Sequence, residues 1–219
     1  MPSLYRSPRS LADGKPRPDH AAGLRVWADG DSTSYFMSVS FLDTMRQLDA
    51  VEVQPAPEYK VSSGLSTPQF FDWPAYLDEQ MRLYAPDVVV FMVGANDAAN
   101  AVDSATYRAL VAATMDRLRA PGRYVLWVGQ PTMGPQRPDL RATVPRLNAI
   151  MAEEAASRPW VIYVDAFAAT AGPDGDFSAY LPDEHGVPQL ARTDDGVHFT
   201  PAGGRLLARA VIAALFGFE

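Results

Sequence analysis

Five short apolar runs punctuate the chain, at Leu24–Ala28, Ala50–Gln54, Val88–Val93, Tyr124–Val128 and Val161–Val164, each rich in β-branched or aromatic residues. Runs of this length suit buried strands and are too short for buried helices. Stretches of helical character separate them, at about Tyr35–Leu48, Trp73–Tyr84, Ala105–Arg119, Val144–Ser157 and Ala202–Phe216. The last helix has a readable start, since Thr200 can cap it and Pro201 suits its first turn. Strand alternating with helix predicts a mostly parallel sheet covered on both faces, a three-layer α/β/α domain.

The length of 219 residues fits one domain with one substantial core. Residues 1–22 differ from the rest: Pro2, Pro8, Pro16 and Pro18 stand among Arg, Ser and Asp with no apolar segment of signal-peptide type. They read as a flexible linker or tail, and 23–219 as the domain. A net charge of −7 argues against a nucleic-acid partner, because phosphate binding needs clustered Lys and Arg. The densest apolar stretch, Leu206–Phe216, contains Arg209 and is shorter than a membrane span. With no cysteine there is no thiolate nucleophile and no Cys-based metal site.

In a parallel sheet, ligands bind beyond the carboxyl ends of the strands. After the first strand comes Asp29-Gly30-Asp31-Ser32-Thr33, and past a loop after the second comes Ser62-Ser63-Gly64-Leu65. Gly94-Ala95-Asn96-Asp97 follows the third strand, and Asp194-Asp195-Gly196-Val197-His198 precedes the last helix. If strands two, one and three are neighbours, Ser32, Gly64 and Asn96 converge on one rim.

Acyl transfer needs a nucleophile, a base, a group orienting the base, and donors for the oxyanion. Ser32 lies in a tight turn before a helix, whose N-terminus favours developing negative charge. His198 can take its proton through one ring nitrogen while Asp195 holds the other. The backbone N–H groups of Ser32 and Gly64 and the side-chain amide of Asn96 are candidate oxyanion donors. Asp31 and Asp97 are read as loop braces.

Gly30-Asp31-Ser32, Gly64, Gly94-Ala95-Asn96-Asp97 and Asp195-Gly196-Val197-His198 together resemble the four sequence blocks of the SGNH (GDSL-type) hydrolases. The resemblance extends from about residue 24 to the C-terminus. The run Arg192–Thr200 is most similar to a bacterial subgroup long labelled a domain of unknown function, whose members are often anchored outside the cytoplasmic membrane. The resemblance implies a flavodoxin-like five-stranded sheet in the order 2-1-3-4-5. It also implies metal-free and cofactor-free cleavage or transfer of short O-acyl esters, such as acetyl, on a carbohydrate or cell-envelope glycan. An extracytoplasmic location follows from the same source. One departure is Thr33, where the family usually carries an apolar residue.

Other residues have two readings each. Trp73 either floors a substrate pocket or packs a helix on the sheet, and Arg192 either binds an anionic substrate group or pairs with Asp194 or Asp195. His185 lies in a polar loop and His20 in the tail, which leaves His198 as the base. Two rival functions remain. Asp29-x-Asp31-x-Thr33 also resembles the first motif of haloacid-dehalogenase-type phosphatases, with Asp29 as nucleophile and Asp194-Asp195 helping to hold Mg²⁺. That chemistry needs a late lysine, whereas only Lys15 and Lys60 occur. The other rival is a carbohydrate-binding module without turnover. Dinucleotide binding fails for want of Gly-x-Gly-x-x-Gly.

Overall fold

The computed structural model describes residues 13–55 and 59–218. In chain order these form β1 (Arg25–Gly30), α1 (Tyr35–Gln47), β2 (Val51–Glu52), α2 (Trp73–Tyr84), β3 (Val88–Met92), α3 (Ala95–Ala99) and α4 (Ser104–Arg117). There follow β4 (Tyr124–Val128), α5 (Pro138–Ala156), β5 (Val161–Val164), α6 (Ala166–Ala169), β6 (Tyr180–Pro182), β7 (Pro188–Leu190) and α7 (Pro201–Phe216). The main sheet runs β2-β1-β3-β4-β5 with every pair parallel, the order the family resemblance implies.

Strand β3 shows why the sheet has two covered faces. All five of its residues are buried, and their alternation sends Val89 and Phe91 to one core and Val88, Val90 and Met92 to the other. A strand with one wet face would alternate with polar residues, and this one does not. The first core gathers α2, α3, α4 and α5 around Trp27, Trp73 and Trp127. The second packs α1 and α7 onto the opposite face through Met37, Phe41, Leu207 and Val211.

Three expectations are corrected at the level of elements. Strand β2 is two residues long, not five: the Val53 N–H still donates to the Val26 carbonyl, and past it a side chain replaces the backbone. Gln54 accepts from the Ala28 N–H and donates to the Ala28 carbonyl, both at 2.8 Å. Helix α5 begins at Pro138, well before the expected Val144, and runs through Pro145. The buried stripe of Leu140, Val144, Leu147 and Met151 carries it past a residue that cannot donate to Arg141. The chain also holds α3, α6 and the β6–β7 hairpin, which are too short to show a period. His185 lies in the turn of that hairpin, where its backbone N–H is held by Asp183. Helix α7 is as expected, with Thr200 accepting from the Gly203 N–H and Pro201 in the first turn.

Residues 13–22, read as part of the linker, lie against the domain. Lys15 Nζ donates to the carbonyls of Ala155, at 2.7 Å, and of Val161, and Arg17 Nε donates to the Ala214 carbonyl at 2.8 Å. Arg17 thereby meets an end carbonyl of α7, and Lys15 an end carbonyl of α5 together with the first carbonyl of β5; positive charge is favourable at the C-terminal end of a helix. The rest of the expected linker, residues 1–12, lies outside the described residues.

Candidate active site

Gly30 ends β1 and the next residues turn into α1, which places Ser32 at the carboxyl edge of the sheet. Ser32 Oγ lies 2.9 Å from His198 Nε2, and His198 Nδ1 lies 2.5 Å from Asp195 Oδ2. A carboxylate only accepts, so Nδ1 carries the ring proton and Nε2 is left to accept from Ser32. The three residues expected to act together are therefore linked in one chain, although 166 positions separate Ser32 from His198.

The turn between Asp195 and His198 is built to hold that geometry. Asp195 Oδ1 accepts from Thr193 Oγ1 at 2.7 Å and from the N–H groups of Val197 and His198 at 2.8 and 3.0 Å. Burial pushes the Asp195 carboxyl up, but these donors and the His198 ring outweigh it and hold it well below the usual carboxylate range. Gly196 has φ +70°, a left-handed conformation that glycine adopts without strain.

Asp31 joins the nucleophile's turn to the turn after β3. Its Oδ1 accepts from the N–H and hydroxyl of Thr33 at 2.9 and 2.5 Å, and its Oδ2 from the N–H groups of Gly94 and Ala95 at 3.0 and 3.2 Å. Burial pushes this carboxyl up against the pull of the same donors. Thr33, the departure from the family pattern, spends its hydroxyl inside this cluster. Asp97 does similar work, accepting from the N–H groups of Leu65 and Ser66 at 3.0 and 2.7 Å. Both aspartates brace loops.

Asn96, in the first turn of α3, donates one amide hydrogen to the Ser63 carbonyl at 2.8 Å. Its side chain lines the same hollows as Ser32 and His198, and the second amide hydrogen remains for an oxyanion. Among the described residues nothing accepts from the Ser32 N–H, so it too is open. Replacing Asn96 with alanine is expected to lower kcat by roughly 10²–10³ with little change in KM, because the bond forms mainly in the transition state. Steady-state kinetics on an acyl ester check this; a raised KM with normal kcat would make Asn96 a ground-state binding residue.

Three expected site residues need correction. The Gly64 N–H is taken by Thr67 Oγ1 at 3.1 Å, so it is not an open oxyanion donor. Glycine is required there for another reason: a Cβ would stand 2.9 Å from the Asp97 carboxyl carbon. Trp73 is fully buried and stands edge-on to Phe71 and Phe91, with Nε1 donating to Ser63 Oγ at 3.1 Å. It is core, and touches the site only through Ser63.

Arg192 is also fully buried, and among the described residues it forms no ion pair with a carboxylate. Its Nη1 donates to the Thr132 carbonyl at 2.7 Å, and its Nη2 to the carbonyls of Val197 at 2.7 Å and Gly196 at 3.3 Å. The rings of Phe177 and Phe199 flank the guanidinium, 5.1 and 4.7 Å from its carbon. Burial pulls its pKa down to about 10, with Asp195 opposing, so it stays charged at neutral pH. Arg192 clasps the turn carrying the base and cannot reach a substrate. Arg192→Met is expected to destabilise the fold by about 2–4 kcal/mol, since the buried Thr132 and Val197 carbonyls lose their donor while that of Gly196 keeps the Gly134 N–H. It should lower kcat more than it changes KM; urea unfolding alongside kinetics would show both.

Asp29 is 1% exposed and accepts from the Tyr76 hydroxyl at 2.7 Å and from the Gly30 N–H. A buried carboxylate occupied in this way is not placed to attack a phosphoryl group. Among the described residues no group of three or more His, Asp or Glu could hold a metal ion.

The sequence reading missed the walls of the site. Tyr35, Phe36, Tyr59 and Val61 line a groove of about 540 Å³ on one side of Ser32. Arg137 and Leu140 help to close a smaller pocket of about 140 Å³ on the other. Tyr35 and Phe36 immediately follow the nucleophile's turn, and that adjacency was a usable signal. Arg137 lies in the loop after β4, which carries no motif.

Fold and rim keep the arrangement that the resemblance to the SGNH-type hydrolases implies. The family described as Protein of unknown function (DUF459) matches residues 25–214, and the chain belongs to it. A search among curated proteins returns no match. Similar solved structures include a variant of Axe2, an acetyl xylan esterase from Geobacillus stearothermophilus, 16% identical over 92% of this chain and 99% of that one, with a TM-score of 0.64. A lipase/acylhydrolase from Enterococcus faecalis is 19% identical over 89% and 96%, with a TM-score of 0.66. LAE5, an alpha/beta hydrolase from the metagenome of Lake Arreo, Spain, is 16% identical over 90% and 97%, with a TM-score of 0.63.

Proposed function

We propose that the protein is a serine esterase or acyl-transfer enzyme acting on short O-acyl esters of a carbohydrate or cell-envelope glycan. The observation that carries this reading is the linked chain Ser32 Oγ, His198 Nε2, His198 Nδ1, Asp195 Oδ2. Ser32 Oγ attacks the ester carbonyl as His198 Nε2 takes its proton, and Asp195 stabilises the imidazolium that forms. The oxyanion accepts from the Ser32 N–H and Asn96 Nδ2. As the tetrahedral intermediate collapses, the C–O bond to the alcohol breaks and the alkoxide takes the proton from His198. Water, or a hydroxyl of a second molecule, then attacks the acyl-serine by the reverse of the same proton route.

The glycan as substrate rests on the family resemblance, and on the esterase named among the similar structures. An extracytoplasmic site of action goes with that substrate. No described helix is long and apolar enough to cross a membrane.

A fluorophosphonate label with peptide mass mapping tests nucleophile and reaction class together. Modification on Ser32, with EDTA-insensitive cleavage of a short acyl ester, supports the reading. EDTA-sensitive release of phosphate from an aryl phosphate, lost in Asp29→Asn, overturns it.

A further inference from the structure

Ser32 stands between two hollows of unlike size and lining. On one side lies the groove of about 540 Å³, walled by Tyr35, Phe36, Tyr59 and Val61. The Tyr35 and Tyr59 rings meet there with centroids 4.7 Å apart, and Tyr59 and Val61 are 41% and 66% exposed. On the other side lies the pocket of about 140 Å³, walled by Ala95, Ala99, Leu140 and Val197, with Arg137 beside them. Ser32, Asn96 and His198 border both hollows. A substrate whose carbonyl carbon meets Ser32 Oγ must therefore divide between them.

We infer that the small pocket is the acyl subsite, that it admits neutral acyl groups of about two to four carbons, and that the aromatic groove receives the alcohol. This rests on the ester-cleaving reading above and adds what selects the substrate. Size decides the division. At roughly 30 Å³ per small heavy-atom group, 140 Å³ holds only four or five such groups. A pyranose with its substituents, roughly a dozen heavy atoms on the same scale, enters only the groove. The lining agrees, since alanine, leucine and valine give an acyl chain nothing to hydrogen-bond. The tyrosines of the groove offer apolar ring faces with polar tips.

Charge decides against an acyl group that carries its own carboxylate. Among the described residues lining the pocket, Arg137 is the one arginine or lysine, and its Nε and Nη2 already bond Asp139 at 3.0 and 2.6 Å. The Asp195 carboxylate lines the same pocket. Among the described residues lining the pocket, Arg137 and His198 are thus each already paired with a carboxylate, which leaves neither free for an incoming anion.

The walls also name the residues that set the length limit. Leu140 is 1% exposed, fixed in the core by α5, whereas Ala99 is exposed on α3 and small. A longer side chain at 99 shortens the pocket without disturbing the core. Removing the Arg137 side chain opens the pocket to solvent.

The test measures kcat/KM for p-nitrophenyl acetate, butanoate, hexanoate, octanoate and hemisuccinate with the wild-type chain, Ala99→Leu and Arg137→Ala, each checked for unchanged far-ultraviolet circular dichroism. The wild type is expected to lose at least ~10-fold from butanoate to octanoate. Ala99→Leu should lower butanoate relative to acetate by about 10-fold or more, a methylene-scale discrimination. Arg137→Ala should raise hexanoate and octanoate relative to acetate. A flat chain-length profile, variants that move every ester by one factor, or hemisuccinate preferred over butanoate would each overturn the subsite assignment while leaving Ser32 chemistry standing. Absence of turnover on every ester, with no fluorophosphonate labelling of Ser32, would instead remove the ester reading itself and the subsite with it.

Discussion

Ser32→Ala is expected to abolish fluorophosphonate labelling and to lower turnover by at least ~10³-fold, with the thermal unfolding midpoint unchanged. The two halves of this expectation come from different features. The side-chain hydroxyl makes one bond, to His198 Nε2, so alanine strands no buried donor and the fold has little to lose. The turn around it is held by Asp31 through Thr33, Gly94 and Ala95, and none of those bonds involves the Ser32 side chain. Chemistry loses its nucleophile outright. What survives is the activity of an oxyanion site and a binding groove acting on water. Single-turnover kinetics with calorimetry separate the two halves. Turnover near the wild-type rate in the alanine variant would end the proposal, and a collapsed melting temperature would show that the serine had a structural duty.

His198 and Asp195 are expected to behave as one unit. His198→Ala should cost at least ~10³-fold in kcat, and adding Asp195→Ala should cost little more, because an orienting group has nothing left to orient. The more telling change is Asp195→Asn, which keeps the size of the side chain. Its Oδ1 can still accept from Thr193, Val197 and His198, so the turn keeps its shape. If the amide nitrogen faces His198 Nδ1, that ring nitrogen must become the acceptor and the proton moves to Nε2. A protonated Nε2 cannot take the proton of Ser32. A loss on the order of 10³–10⁴-fold in kcat is expected at unchanged stability. The pH profile adds a sign. A carboxylate held below its unfolded value of about 3.9 keeps its partners at any pH above that value, and loses them only as pH falls through the lower, folded one. Mild acidification therefore leaves the Asp195 contacts in place. If the single-variant losses multiply in the double variant, the two residues act independently and the triad assignment is wrong.

How far the sequence could be read differs from residue to residue, for physical reasons. Strand β3 was legible because five consecutive buried apolar residues can hardly be anything else. Helix α7 was legible because Thr200 and Pro201 mark its first turn chemically. The start of α5 was misplaced because Pro145 looks like a first-turn proline. Only the buried stripe beginning at Leu140 shows that the helix is already two turns old. Arg192 was misread because charge logic along the chain pairs it with Asp194 or Asp195. Its partners are carbonyls, one of them sixty positions away at Thr132. Gly64 was read as an oxyanion donor, but Thr67 takes its N–H, and the Asp97 carboxyl that would crowd a Cβ there follows another strand. The rule in these cases is that covalent neighbours announce caps and turns, while buried polar partners depend on where a distant loop comes to rest.

The bonds of Lys15 and Arg17 to the last carbonyls of α5 and α7 fix the direction in which the chain enters the domain. Those carbonyls belong to the end of the sheet where the parallel strands begin, whereas Ser32, Asn96 and His198 crowd the end where they finish. Lys15 and Arg17 thus lie on the side away from the mouth. Coupled to a bead or a surface through that side, the domain would present Ser32 outward, and a bulky polymer could approach without meeting the support. Coupled through an engineered cysteine beside Tyr59, it would be pressed mouth-down. Comparing the two immobilised forms on a small aryl ester and on an acylated polysaccharide would convert this polarity of entry into a ratio of rates.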